Sequence, residues 1–123
     1  MQVNVTRLVP HAQLPTRDPG SVGYDIFSAE GYVILPGERA VVSTGIKLKI
    51  PDGFYGVLAP KTGITIKHGI EVGAGIIEPG YDGELKVVLF NHDRKHNFVI
   101  RPGYRVAQMV LQPYALPQLV ECI

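Results

Sequence analysis

Hydrophobic and polar residues along this chain alternate with a period of two, and no stretch carries the period of an amphipathic helix. Val3 and Val5 alternate with Asn4 and Thr6, so Val3 to Val9 begins as a strand. Pro10 to Gly20 reads as a loop, and Tyr24 to Ala29 and Tyr32 to Leu35 as short extended segments. Ala40 to Ile50 is expected to be one long strand, because Ile46, Leu48 and Ile50 alternate with Lys47 and Lys49, giving one dry and one wet face. Pro51-Asp52-Gly53 signals a hairpin turn, and Phe54 to Ala59 a further strand. Pro60 to Gly69 is irregular. Leu85 to Asn91 is almost continuously apolar and is expected to be covered on both faces. Phe98 to Ile100 and Arg105 to Gln112 are strands separated by Pro102-Gly103, and Leu116 to Cys122 is a candidate last strand. Strands at this spacing, punctuated by Pro and Gly, predict an all-β sandwich, jelly roll or barrel.

Composition narrows the function more than the fold. A chain of 123 residues with 46% apolar content is expected to form a single domain, residues 1–123, with a real core. The formal net charge of +1 and the scattered lysines argue against nucleic acid or an anionic membrane as partner. No apolar run is long enough to span a bilayer. The single cysteine, Cys122, allows no intrachain disulfide and fits a reducing, intracellular setting, cytoplasmic or nuclear. Without a secretory signal, Asn4-Val5-Thr6 reads as a chance glycosylation sequon. The hydrophobic residues near the end, Leu116, Leu119, Val120 and Ile123, suggest apolar surface buried between subunits.

The stretch Ala74 to His92 carries the densest signal. Glu78-Pro79-Gly80-Tyr81 has Pro and Gly in the order of a type II turn, so a hairpin tip is expected to present one carboxylate and one aromatic ring. Gly73 and Gly75 lack side chains, which would let the backbone approach a flat ligand and read a base through its N–H and C=O groups. The plain alternative is a structural hairpin. Elsewhere, Val22-Gly23-Tyr24-Asp25 sets a carboxylate beside an aromatic ring, or simply forms a turn into a strand. Ala59-Pro60-Lys61-Thr62-Gly63 offers an ammonium, a hydroxyl and accessible backbone, a phosphate cradle or a solvated turn. Lys61-Thr62-Gly63 also occurs in serine β-lactamases, but no serine here sits in a Ser-x-x-Lys. His92 and His96 flank a turn without an evident third ligand, which disfavours a metal site. Arg105-Val106-Ala107-Gln108 places Arg and Gln at a strand start.

Taken in order, Gly-Tyr-Asp, Ala-Pro-basic-hydroxyl-Gly, the Gly-x-Ile-acid-x-x-Tyr hairpin and Gly-x-Arg-x-Ala-Gln resemble the trimeric deoxyuridine triphosphate nucleotidohydrolases, the dUTPases, from about Gly23 to Tyr114. Lys67 to Ile70 and Val88 to Asn91 extend the resemblance. It implies a β jelly roll assembled as a homotrimer, with sites at subunit junctions and dUTP cleaved to dUMP and pyrophosphate with Mg²⁺. The hairpin, with Gly75, Ile76 and Ile77, would bind uracil through its backbone. Tyr81 would lie under the deoxyribose and exclude a 2′-hydroxyl. Lys61, Thr62 and Gly63 would meet the phosphates from a neighbouring subunit, with Gln108. Asp25 would orient the Mg²⁺-bound triphosphate through water, and Glu78 would activate the attacking water.

The departures from that family fall on the chemistry. Glu78 stands where the family has Asp, Lys61 where it has Arg, Thr62 for Ser, Asp82 for Arg, and Tyr104 for Asp. Lys61 keeps the charge but loses the bidentate fork of Arg. The family's glycine-rich C-terminal arm would begin after Ile123, where this chain stops, so slow or impaired hydrolysis is expected. The alternative is a dUTPase-derived, inactive scaffold for protein partners. The last residues, Glu121-Cys122-Ile123, fit a minor class of PDZ-domain ligand captured by strand addition.

Overall fold

In the computed structural model, which describes residues 1–123, the elements follow in the order β1 (Asn4–Arg7), β2 (Tyr24–Phe27), β3 (Tyr32–Ile34), β4 (Arg39–Ser43), β5 (Ile46–Lys49), β6 (Phe54–Ala59), α1 (Thr62–His68), β7 (Ile70–Gly73), β8 (Ile76–Ile77), β9 (Lys86–Asn91), β10 (Phe98–Ile100) and β11 (Arg105–Pro113). Every strand pairing is antiparallel. One sheet runs β2-β11-β6-β8 and a second β4-β9-β7, while β1 pairs with β5 and β3 with β10. The all-β expectation holds. Between the sheets lies one cluster of 18 buried apolar residues, among them Ile26, Ile34, Val42, Ile46, Val87 and Leu89. Alternating side chains from facing strands fill it, as the period of two requires.

Four local expectations fail, each for a physical reason. The long strand over Ala40 to Ile50 is broken into β4 and β5 at Thr44-Gly45. Gly45 turns the chain with φ near 70°, and a Cβ there would lie 2.7 Å from Val9 Cγ2 and 3.0 Å from Ala12 Cβ. Only glycine meets both the dihedral and the space. The irregular stretch contains α1, whose seven residues include none that is buried, so no apolar stripe announces it. Its end is the feature that could have been read: Gly69 adopts the left-handed conformation, donates to the Thr65 carbonyl, and follows Lys67 and His68 in the last turn. β9 is not covered on both faces. Val87, Leu89 and Asn91 are buried, whereas Lys86 is exposed and Val88 and Phe90 are half-buried. Leu116 to Cys122 forms no strand and lies exposed.

Candidate functional site

Two groups of the expected site residues are built on the sheet β2-β11-β6-β8. The first surrounds Asp25. β2 carries this carboxylate into the sheet, where its side chain is only 5% exposed. Lys61 Nζ lies 2.5 Å from one carboxylate oxygen and Arg105 Nε 3.2 Å from the other. A buried anion needs such compensation. The sequence motif marks Arg105 but does not pair it with Asp25. The pairing follows from antiparallel register, which sets Arg105 opposite Phe27 and Gln108 opposite Asp25. Gln108 donates from Nε2 to the Pro60 carbonyl at 3.0 Å and so fixes the entry to Lys61. Gly23 belongs to this packing, because a Cβ there would fall 2.3 Å from Gln108 Oε1. Thr62 and Gly63 open α1 and are exposed, with nothing within 4 Å of where a Gly63 Cβ would sit. The first backbone N–H groups of a helix have no intrahelical partner and attract anions. Arg105, Lys61 and these N–H groups therefore form a cationic rim beside one buried carboxylate.

The second group is the hairpin. β8 pairs with β6, and Leu58 N–H donates to the Gly75 carbonyl at 2.7 Å. Ala74, with φ 61°, and Gly75, with φ 98°, take the left-handed region one after the other. Ala74 is the only non-glycine residue to do so in the chain. Such conformations persist where the surroundings over-determine them and gather at functional sites. Beside them Leu58, Ala74, Gly75, Ile76, Ile77, Glu78, Tyr81, Leu85 and Lys86 line a cavity of about 160 Å³. Glu78 is exposed at its mouth, and no ion pair engages its carboxylate. The tip does turn at Glu78–Tyr81, closed by Tyr81 N–H to the Glu78 carbonyl at 3.1 Å. It is not of type II, since Gly80 is absent from the residues with positive φ. Gly73 does not await a flat ligand either. The Phe90 ring fills its place, 2.4 Å from where a Cβ would stand.

The base of the hairpin is tied to the β4–β5 corner. Leu85 N–H donates to the Ile46 carbonyl at 2.8 Å, and Thr44 Oγ1 donates to the Leu85 carbonyl at 2.5 Å. Glu84 accepts hydrogen bonds on one carboxylate oxygen from Ser43 Oγ and, at 2.9 Å, from Gly45 N–H. Tyr81 OH donates to the Glu84 carbonyl at 2.7 Å. Burial raises the Glu84 pKa, but the Ser43 and Gly45 hydrogen bonds and the Lys86 charge outweigh it, leaving the carboxyl below its ordinary value. A depressed carboxylate contributes stability that is full above its unfolded pKa of about 4.3 and lost as pH falls through the folded value. Denaturation midpoints followed from about pH 6 downward should therefore fall less steeply in Glu84→Gln than in the wild type. Asp93, also depressed by the Lys95 and His96 backbone N–H groups, titrates alike in both proteins and cancels in the comparison.

No hydrogen bond or ion pair joins the hairpin's Glu78 to the Asp25 group. His92 and His96 stay apart from both, His92 lying 3.6 Å from Glu71 and His96 3.2 Å from Asp93. No group of three His, Cys, Asp or Glu side chains gathers to hold a metal ion. Glu121, Cys122 and Ile123 are exposed at the chain end.

A model of the dUTPase family matches residues 10–122. The chain belongs to that family. It is 45% identical over 116 residues to the mouse deoxyuridine 5′-triphosphate nucleotidohydrolase, covering 94% of this chain and 71% of that protein. The human mitochondrial enzyme is 43% identical over 122 residues, with 98% and 48% covered. The chain thus spans about half the length of the human relative, and 82% of one from Paramecium bursaria Chlorella virus 1, to which it is 41% identical. Among solved structures, a mutant dUTPase from phage phi11 of S. aureus, described with a structural Mg(II) ion, superposes with a TM-score of 0.91 at 28% identity, covering 99% of this chain and 97% of the other. The dUTPase of Staphylococcus bacteriophage 80alpha gives 0.90 at 29% identity, covering 98% and 96%. The dUTPase fold is therefore shared along the chain.

Proposed function

We propose that this dUTPase-family chain hydrolyses dUTP, breaking the α–β phosphoanhydride to release dUMP and pyrophosphate. The observation that carries the reading is the pair of carboxylates in opposite states. Asp25 is buried between two cations, suited to orientation, while Glu78 is exposed and unpaired at the mouth of a cavity. A general base needs a free carboxylate within reach of water. Glu78 takes the proton of the attacking water, the oxygen bonds to the α-phosphorus, and pyrophosphate leaves with the bridging oxygen. Gly75, Ile76 and Ile77 present backbone groups to uracil, and Tyr81 packs on the deoxyribose where a 2′-hydroxyl would clash. Lys61, Thr62, Gly63 and Gln108 serve the phosphates.

The residues fit magnesium as part of the substrate and not as a resident ion, since Asp25 is a lone carboxylate already holding two cations. Mg²⁺ supplies charge neutralisation on the triphosphate, and Asp25 orients that complex through water. Because no hydrogen bond or ion pair joins Glu78 to the Asp25 group within one chain, a second copy completes each site in a homotrimer. Apolar surface supports this assembly: Leu116, Leu119 and Val120 are 87%, 90% and 77% exposed. Lys61 in place of Arg, and its engagement by Asp25, favour slow turnover. The scaffold alternative, acting through Glu121, Cys122 and Ile123, gains no support from the fold or the relatives. The test is pyrophosphate release from dUTP with Mg²⁺, beside dCTP, dTTP and UTP. Selective hydrolysis of dUTP is expected; equal rates with UTP, or none with dUTP, would refute the reading.

A further inference from the structure

We propose that Glu84 is a positioning residue for the nucleotide cavity, holding the Tyr81 ring in place by anchoring the hairpin base to Ser43 and Gly45. The inference rests on the functional reading above and adds a residue to it. Glu84 does not line the cavity, yet two of its parts meet groups that do, and a third ties it to the β4–β5 corner. Its backbone carbonyl accepts the Tyr81 hydroxyl at 2.7 Å. One carboxylate oxygen accepts from Ser43 Oγ and Gly45 N–H. The other lies 3.8 Å from Lys86 Nζ, and Lys86 forms part of the cavity wall. The side chain is 23% exposed, so water competes weakly for these bonds.

The ring of Tyr81 has one seat. Its hydroxyl oxygen lies 2.6 Å from where a Cβ on Gly83 would stand, so the ring lies against the bare backbone of Gly83 and ends on the carbonyl of Glu84. The segment that carries ring, glycine and carbonyl is held at its far end by Leu85 and at its middle by the Glu84 carboxylate. The remaining tether, Lys47 to Asp82 at 3.2 Å, joins a partly exposed lysine to a carboxylate that is 89% exposed. Surface pairs of that kind contribute little. Removing the Glu84 carboxylate therefore loosens the segment while leaving the core strands intact. Looser walls weaken binding of the bound nucleotide in ground and transition state alike, which appears in KM before kcat.

The experiment compares wild type, Glu84→Ala, Glu84→Gln and Ser43→Ala, all as full chains. It reads KM and kcat for dUTP with Mg²⁺, Kd for dUMP, and amide hydrogen exchange at Tyr81 and Leu85. Glu84→Ala is expected to raise KM and Kd about tenfold, with kcat within about threefold, and to speed exchange at both amides. Glu84→Gln keeps an oxygen that accepts from Ser43 and Gly45, and stays within about threefold of wild type. Ser43→Ala, a milder change that leaves the fold in place, shifts KM in the same direction. Unchanged KM and Kd in Glu84→Ala, or equal losses in Glu84→Ala and Glu84→Gln, overturn the inference alone. A wild type that neither binds dUMP nor cleaves dUTP overturns the functional reading, and this inference with it.

Discussion

Glu78→Gln is expected to lower kcat for dUTP by about 10²–10⁴-fold and to leave dUMP affinity within about threefold of wild type. The amide has the size and planarity of the carboxylate but cannot take a proton from water at neutral pH. The turn it sits on is closed by backbone atoms, Tyr81 N–H to the Glu78 carbonyl, which the substitution does not touch. The left-handed backbone at Ala74 and Gly75, and the contact of Leu58 with Gly75, are equally independent of the side chain. A ligand that needs the cavity but no hydrolysis should therefore bind as before. Single-turnover pyrophosphate release and dUMP titration separate the two quantities. An unchanged kcat would remove Glu78 from the chemistry and return the role to a carboxylate elsewhere. Parallel loss of kcat and dUMP affinity would mean that the residue shapes the cavity instead.

What the sequence made legible follows from the range of each signal. Alternation in Val3 to Thr6 and Ile46 to Ile50, and Pro-Gly punctuation, are local, and the strands they announce are present. The site motifs were legible as motifs because Gly75, Glu78 and Tyr81 are close in the chain. Residues that act across strands were not. Ser43 and Glu84 are 41 positions apart, and neither alone suggests an anchor. Arg105 reaches Asp25 only once β11 lies beside β2. The meaning of a glycine was harder still. Gly73 accommodates Phe90, Gly83 accommodates Tyr81, and Gly75 meets a backbone dihedral, yet the three look alike in the sequence. The short helix was missed because Thr62, Ile64, Thr65 and Ile66 are β-branched, and such residues favour strands in the absence of context.

The second large effect is expected at the Asp25 pair, and it is asymmetric. Lys61→Met and Asp25→Asn should each lower kcat/KM for dUTP by about 10²–10³-fold, since the first removes a cation that would meet the triphosphate and the second the carboxylate that would orient its Mg²⁺ complex. Their effects on stability should differ. Asp25 is the buried member, 5% exposed, while Lys61 is 30% and Arg105 56% exposed. Removing Lys61 leaves a buried carboxylate with one remaining cation, whereas removing the carboxylate's charge leaves two cations that water can reach. An uncompensated buried charge costs several kcal/mol. Arg105 and partial solvent access reduce that here to about 1–3 kcal/mol for Lys61→Met, against about 1 kcal/mol or less for Asp25→Asn. Urea denaturation at neutral pH measures both. If Asp25→Asn were the more damaging, the carboxylate would be held by its surroundings more than by Lys61, and the pair would be a structural clamp. The expected order leaves Lys61 stabilising in the free protein and obliged to turn from Asp25 to phosphate when nucleotide arrives. On the proposed function, that exchange would slow turnover in a chain with Lys at this position: an ammonium that moves must leave one anion for another, while the Asp25 carboxylate keeps only Arg105. Lys61→Arg tests the same point within this pair, because a planar fork can hold a carboxylate and a phosphate oxygen together.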